Sequence, residues 1–145
     1  MEVLSSREFR AAFGIEPLDL MRTAEEYMVR AYAPYSNFPV GAAILLEGGA
    51  VTGGCNVENA SYGLSLCAER VAMSKAVSEG NRKPLAIAVS ALPGVFCPPC
   101  GACRQFLSEF NPNLIVVLKN GSKLDLFGLD ALFPYSFALN DTKNG

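Results

Sequence analysis

Apolar and polar residues follow two different periods along this chain, and the switches between them mark out its elements. Ser5 and Ser6 stand where they can cap a short helix that Gly14 ends. Pro17 and Asp19 open a longer helix reaching about Ala33, with Leu20, Ala24, Tyr27, Met28 and Ala31 as its apolar face. Pro34 and Pro39 bracket a loop, after which Val40 to Leu46 reads as a strand. Gly48-Gly49 turns the chain into a second strand near Ala50 to Cys55, so these two strands make a hairpin. The polar stretch Asn56 to Ser65 is a loop leading to a helix from about Leu66 to Glu79, with Gly80 beyond it. Pro84 to Leu92 is a continuous apolar run of strand length, suited to the buried middle of a sheet. A Pro-rich loop, Pro93 to Pro99, precedes a helix from about Cys100 to Phe110 that Asn111-Pro112 ends. Leu114 to Leu118 and Lys123 to Phe127, joined around Asn120-Gly121, predict a second hairpin, and a short helix follows near Leu129.

Helices and strands in this order predict a mixed five-stranded sheet covered by helices, a three-layer α/β/α fold. The connections through the helices at Cys67 and Cys100 are expected to be right-handed crossovers that leave both helix N-termini at one edge of the sheet. Ligands bind at that edge in open α/β sheets. No repeat, low-complexity block or linker divides the 145 residues, so one domain over 1–145 is expected, with about 1–17 as an N-terminal extension.

Composition narrows the classes of function. Half of the residues are hydrophobic, yet no apolar run approaches the ~18 residues of a membrane span. Residues 1 to 14 lack a signal-peptide core, and the chain reads as cytoplasmic with no membrane partner. So much apolar surface on a short chain hints at burial between subunits. A net charge of -2 offers no basic field for DNA or RNA, so no nucleic-acid partner is expected. Five cysteines in a reducing compartment, an odd count with two Cys-x-x-Cys spacings that share Cys100, point to metal or redox chemistry. Histidine is absent, so acid-base work falls to carboxylate, thiolate, lysine or tyrosine.

Cys67-Ala68-Glu69 and Pro99-Cys100-Gly101-Ala102-Cys103 each lie at an expected helix start. Three thiolates from two adjacent helix ends form a tripod for zinc, with the fourth tetrahedral position open to water as in catalytic sites. Three thiolates leave the divalent ion one negative charge in excess, which makes a bound water a poorer acid. Arg70 and Arg104, directly after the ligand segments, and the two helix dipoles are placed to compensate, with Arg70 the preferred partner of the thiolates. Glu69, two residues beyond a ligand, is the candidate proton carrier.

Cys-x-Glu followed by Pro-Cys-x-x-Cys is the general signature of zinc deaminases. Together with Pro34-Tyr35-Ser36-Asn37-Phe38-Pro39-Val40-Gly41-Ala42-Ala43, Asn56-Val57-Glu58-Asn59-Ala60, Cys67-Ala68-Glu69-Arg70 and the segment through Gln105, it makes the chain resemble the small homotetrameric cytidine deaminases over about Leu18 to Phe137. The resemblance implies one zinc ion per chain and hydrolytic deamination of free cytidine or deoxycytidine in pyrimidine salvage. It also implies that Phe38 stacks on the base, Asn56 and Glu58 hold the ribose hydroxyls, Tyr62 lines the pocket, and Phe137 reaches a neighbouring subunit's site in a homotetramer. Tyr135-Ser136 departs from the Gly-x that usually precedes that Phe. A carboxylate beside an amide suits neutral sugar hydroxyls and repels a 5′-phosphate, which favours nucleoside over nucleotide.

Other readings of the same residues stay open at this level. The three cysteines could be buried thiols or a structural metal site, and Cys97-Pro98-Pro99-Cys100 also has dithiol redox spacing. Arg70 and Arg104 could be surface groups, Phe38 and Tyr62 core packing, and Asn56 and Glu58 ordinary turn residues. Competing functions are a deaminase of another amino-heterocycle, which has no use for Asn56-x-Glu58, and a zinc-stapled binding module. Cys55, ending a strand, reads as a small core residue.

Overall fold

A computed structural model describes residues 4–139; Met1 to Val3 and the residues from 140 on, at the two ends of the expected domain, lie outside it. Helices α1 (Ser6–Phe13) and α2 (Pro17–Met28) precede the hairpin β1 (Gly41–Leu46) and β2 (Val51–Cys55). Then follow α3 (Ala68–Ser78), β3 (Pro84–Ser90), α4 (Gly101–Ser108), β4 (Ile115–Asn120), β5 (Lys123–Gly128) and α5 (Leu129–Leu132). The five strands form one sheet in the order β2-β1-β3-β4-β5. The β3–β4 pair is parallel and the other pairs are antiparallel. This is the mixed sheet that the pattern predicts.

Side-chain alternation sorts the strand residues into two cores. Ala42, Ile44, Leu46, Ile87, Val89, Val116 and Leu118 face α3, α4 and α5, whose Ala72, Met73, Leu107 and Leu129 pack there. Ala43, Leu45, Ala86, Ala88, Val117 and Leu126 face the other way, onto Phe9 of α1 and Leu20, Met21 and Ala24 of α2. With helices on both faces, the central strands need no polar face, which explains their unbroken apolar runs. The first helix has Ser5 as its N-cap, accepting from the Glu8 N–H, and Gly14 at φ 75° as its stop. The segment expected as an extension thus contributes Phe9, fully buried, to the second core.

Element ends differ from expectation where tertiary bonding intervenes. The second helix stops at Met28, not Ala33, because the Tyr32 N–H donates to the Asn56 carbonyl and the Glu58 N–H to the Tyr32 carbonyl, pulling the chain sideways. Its buried residues are Pro17, Leu20, Met21 and Ala24; Val29 is 83% exposed, so nothing apolar carries the helix further. The third helix begins at Ala68, not Leu66, because Leu66 is held extended by a pair of backbone bonds with Val57. Close packing of α3 on β2 depends on Gly54, where a Cβ would come within 2.6 Å of the Ala72 nitrogen.

Phe9→Ala should lower stability by roughly 3–5 kcal/mol, the usual cost of emptying a buried Phe site, as read from urea unfolding. A change under ~1 kcal/mol would mean that α1 only decorates the surface.

Candidate active site and metal centre

Both crossover helices begin at the same place on the sheet edge. Cys67 and Cys100 occupy the N-cap positions of α3 and α4, in extended conformation and with no side-chain cap bond, which frees both sulfurs to point outward. Cys103 sits one turn into α4, fully buried. The Cys67 and Cys100 sulfurs lie 3.9 Å apart, and all three sulfurs are within 4.8 Å of one another. Sulfurs bound tetrahedrally to one zinc at ~2.3 Å stand about 3.8 Å apart, so this set can hold that ion with little movement.

Charge is arranged around the sulfurs. Arg70, on the first turn of α3, donates through Nη2 to the Cys67 sulfur at 3.6 Å. Without metal, the hydrogen bond with Cys103 and the Arg70 guanidinium bring the Cys67 thiol down to about 5. The Cys103 thiol moves up, because its bond to Cys67 and its burial keep the proton there. Cys67 therefore favours the thiolate and Cys103 the thiol, and metal binding would require Cys103 to give up its proton. Arg104 does not take part. Its Nε donates to the Pro99 carbonyl at 2.8 Å and its Nη1 to the Leu132 carbonyl, so it ties the loop before α4 to the end of α5.

Glu69 is 4% exposed. Burial pushes its carboxyl up to about 7, with the Cys67 charge adding to the rise, while its own backbone amide and a hydrogen bond with Cys103 oppose it. Such a group exchanges a proton near neutral pH.

Cys67 and Cys100 open into a cavity of about 450 Å³ whose wall also includes Phe38, Asn56, Glu58 and Glu69, with Cys103 buried behind them. Asn56 is buried, with Oδ1 accepting from the Val40 N–H at 2.9 Å and Nδ2 donating to the Phe38 carbonyl at 2.8 Å. Glu58 accepts from the Tyr35 and Ser36 N–H groups and from the Ser36 hydroxyl, and that hydroxyl chiefly holds its carboxyl below the usual range.

Two expected site residues lie elsewhere on the chain. Tyr62, 75% exposed, does not line this cavity but an adjoining hollow of about 340 Å³ that shares Ser36, Glu58 and Ser65 with it. Its ring meets Tyr35 edge-on, with centroids 5.9 Å apart. Phe137, 66% exposed, lies outside the cavity of its own chain. Gln105 holds its backbone at both ends, donating to the carbonyl at 3.1 Å and accepting from the N–H at 3.3 Å.

Sequence reasoning left Cys97 and Ser36 without a part. Both line the cavity. Cys97 is half-buried, and burial together with the negative Glu69 and Cys67 pushes its thiol up to about 11. It stands outside the group of three sulfurs, as does Cys55 at the end of β2. Dithiol spacing in Cys97-x-x-Cys100 therefore does not describe the cluster, in which Cys67 takes the second place. The only sign of Ser36 was its place between Pro34 and Pro39, because its partner lies 22 residues away.

Residues 16–119 match the family model described as the cytidine and deoxycytidylate deaminase zinc-binding region. A cytidine deaminase of Halalkalibacterium halodurans is 54% identical over 124 residues, covering 84% of this chain and 94% of the relative. One from Sporosarcina psychrophila is 48% identical, covering 84% and 91%. Among solved structures, the cytidine deaminase of Burkholderia pseudomallei superposes with a TM-score of 0.81 at 44% identity, covering 85% of this chain and all of that one. Three thiols converging on one metal position, a buried glutamate beside them and this agreement over most of the chain place the protein in the cytidine and deoxycytidylate deaminase zinc-binding family.

Proposed function

We propose that the protein is a cytidine deaminase, converting free cytidine or deoxycytidine and water into the uracil nucleoside and ammonia, as pyrimidine salvage requires. The observation that carries this reading is one cavity lined by Cys67, Cys100, buried Glu69, Phe38, Asn56 and Glu58, with the sulfur of buried Cys103 converging on those of Cys67 and Cys100. Zinc held by Cys67, Cys100 and Cys103 supplies the Lewis acidity that makes water a nucleophile at neutral pH.

The chain's own residues do the rest. Glu69 accepts the proton of the attacking water and passes it to N3, which makes C4 electrophilic. It then carries the remaining proton to the departing amine, so the C4–N bond breaks as the C4–O bond is completed. Arg70 holds the Cys67 thiolate and offsets the negative charge at the floor. Phe38 offers its ring to the base, while Asn56 and Glu58 meet the sugar hydroxyls. The Glu58 carboxylate, ionised at neutral pH, repels a 5′-phosphate and so favours nucleoside over the nucleotide that other members of this family accept.

Exposed apolar side chains support a homotetramer: Val29, Tyr135, Phe137 and Leu139 are each at least 66% exposed. Phe137, 66% exposed and with its backbone held by Gln105, is the side chain we expect to enter a neighbouring copy's cavity. No described helix is long and apolar enough to cross a membrane. All five cysteines are free, which fits a reducing, cytoplasmic setting.

The direct test follows the absorbance change as cytidine becomes uridine, with cytosine and deoxycytidylate in parallel. Cytidine should be turned over, and the other two should not. Glu69→Gln should keep zinc and bind nucleoside while turnover falls by at least about two to four powers of ten. Retention within about tenfold, a deficit of ~1.4 kcal/mol, would assign the proton to another group. For the assembly, sedimentation should report about four chains per particle, and a fully active monomer would overturn it.

A further inference from the structure

The Ser36 side chain bonds to two separate segments of the cavity wall, at Glu58 and at Phe38. Its hydroxyl donates to Glu58 Oε2, and the same oxygen accepts from the Phe38 N–H at 3.0 Å. Each bond uses a different capacity of the hydroxyl, so the two coexist. Asn37, at φ 55°, supplies the left-handed step that turns Phe38 back onto Ser36, a conformation Asn adopts more readily than most residues. The Phe38 carbonyl is meanwhile taken by Asn56 Nδ2 at 2.8 Å. Both backbone polar groups of Phe38 are thus fixed by side chains of the cavity wall.

Counting acceptor sites on Glu58 shows what Ser36 adds. A carboxylate offers about four lone-pair directions. Oε1 receives the Tyr35 N–H at 2.9 Å and the Ser36 N–H at 3.1 Å, and Oε2 receives the Ser36 hydroxyl. One direction on Oε2 remains for a ligand. Rotation about the last side-chain bond of glutamate is soft, and the two amides pin only one oxygen. The hydroxyl therefore selects the direction in which the free lone pair of Glu58 points.

We propose that Ser36 is a positioning residue that locks Glu58 and Phe38 to each other, so that sugar and base of a nucleoside are read in one fixed geometry. This rests on reading the cavity as a nucleoside site. Ser36 touches neither reacting atoms nor metal; it acts through Glu58 on the sugar and through the Phe38 backbone on the ring.

The test is Ser36→Ala beside Ser36→Thr, with cytidine as substrate, 2′,3′-dideoxycytidine as substrate or competitive inhibitor, and uridine binding by calorimetry. Ser36→Ala should raise KM for cytidine about tenfold or more, the usual scale for a lost hydrogen bond to a charged group, with kcat within about threefold. The uridine dissociation constant should rise in parallel. The constant for dideoxycytidine, which lacks the 2′ and 3′ hydroxyls but keeps the base that Phe38 meets, should rise clearly less than that for cytidine, and Ser36→Thr should stay near wild type. Equal losses on cytidine and dideoxycytidine, a loss confined to kcat, or no loss would overturn the proposal. If Ser36→Ala fails to fold, Ser36→Cys, similar in shape and a weaker hydrogen bonder, carries the same comparison. A wild-type protein inert toward cytidine would defeat the nucleoside reading itself, whereas an active wild type with any of those overturning results defeats only the role of Ser36.

Discussion

Bringing three sulfurs within the reach of one small ion, from stretches 33 residues apart, is the demand that shapes the rest of this molecule. Side-chain flexibility cannot meet it, because cysteine reaches only one atom beyond Cβ; the two helix starts themselves must meet. The sheet order achieves this. Passing from β2 over β1 to β3, and from β3 to adjacent β4, leaves α3 and α4 side by side on one face with their N-termini at a common edge. Gly54 lets α3 lie against β2, and the Val57–Leu66 backbone pair sets the point at which α3 begins. Arg104 does the equivalent for α4 by tying down the Pro99 carbonyl.

Collecting thiolates and a carboxylate in one place has an electrostatic cost. Helix N-termini provide partial positive charge where Cys67 and Cys100 sit, and Arg70 adds a full one. The same negative surroundings act on the groups that do not bind metal. Burial first, and that negative charge in addition, drives Glu69 and Cys97 toward their protonated forms. For Glu69 this is useful, since a carboxyl balanced near neutrality can take and return a proton. For Cys97 it means a neutral thiol in the cavity wall.

Much of this was legible in the sequence because it is local. The apolar runs of β1, β3 and β4 and the caps Ser5 and Gly14 read directly, as did the spacing of Cys67, Glu69, Cys100 and Cys103. What escaped depends on partners far along the chain. The early end of α2 comes from backbone bonds between Tyr32 and the segment at Asn56 and Glu58, which no helical pattern encodes. Arg104, beside a ligand in sequence, turns out to serve backbone carbonyls, because adjacency along a helix start does not fix the direction of a long side chain. Phe9 in the core and Ser36 in the cavity wall were hidden for the same reason: each has its meaning only through residues on other elements.

The account stands or falls on the identity of the metal ligands. Zinc content of the purified wild type and of single Ala replacements at all five cysteines tests it most directly. One zinc per chain should survive replacement of Cys55 or Cys97, and should be lost, together with cytidine turnover, on replacement of Cys67, Cys100 or Cys103. Zinc that depends on Cys97 or Cys55, or that persists without any one of the other three, would contradict it.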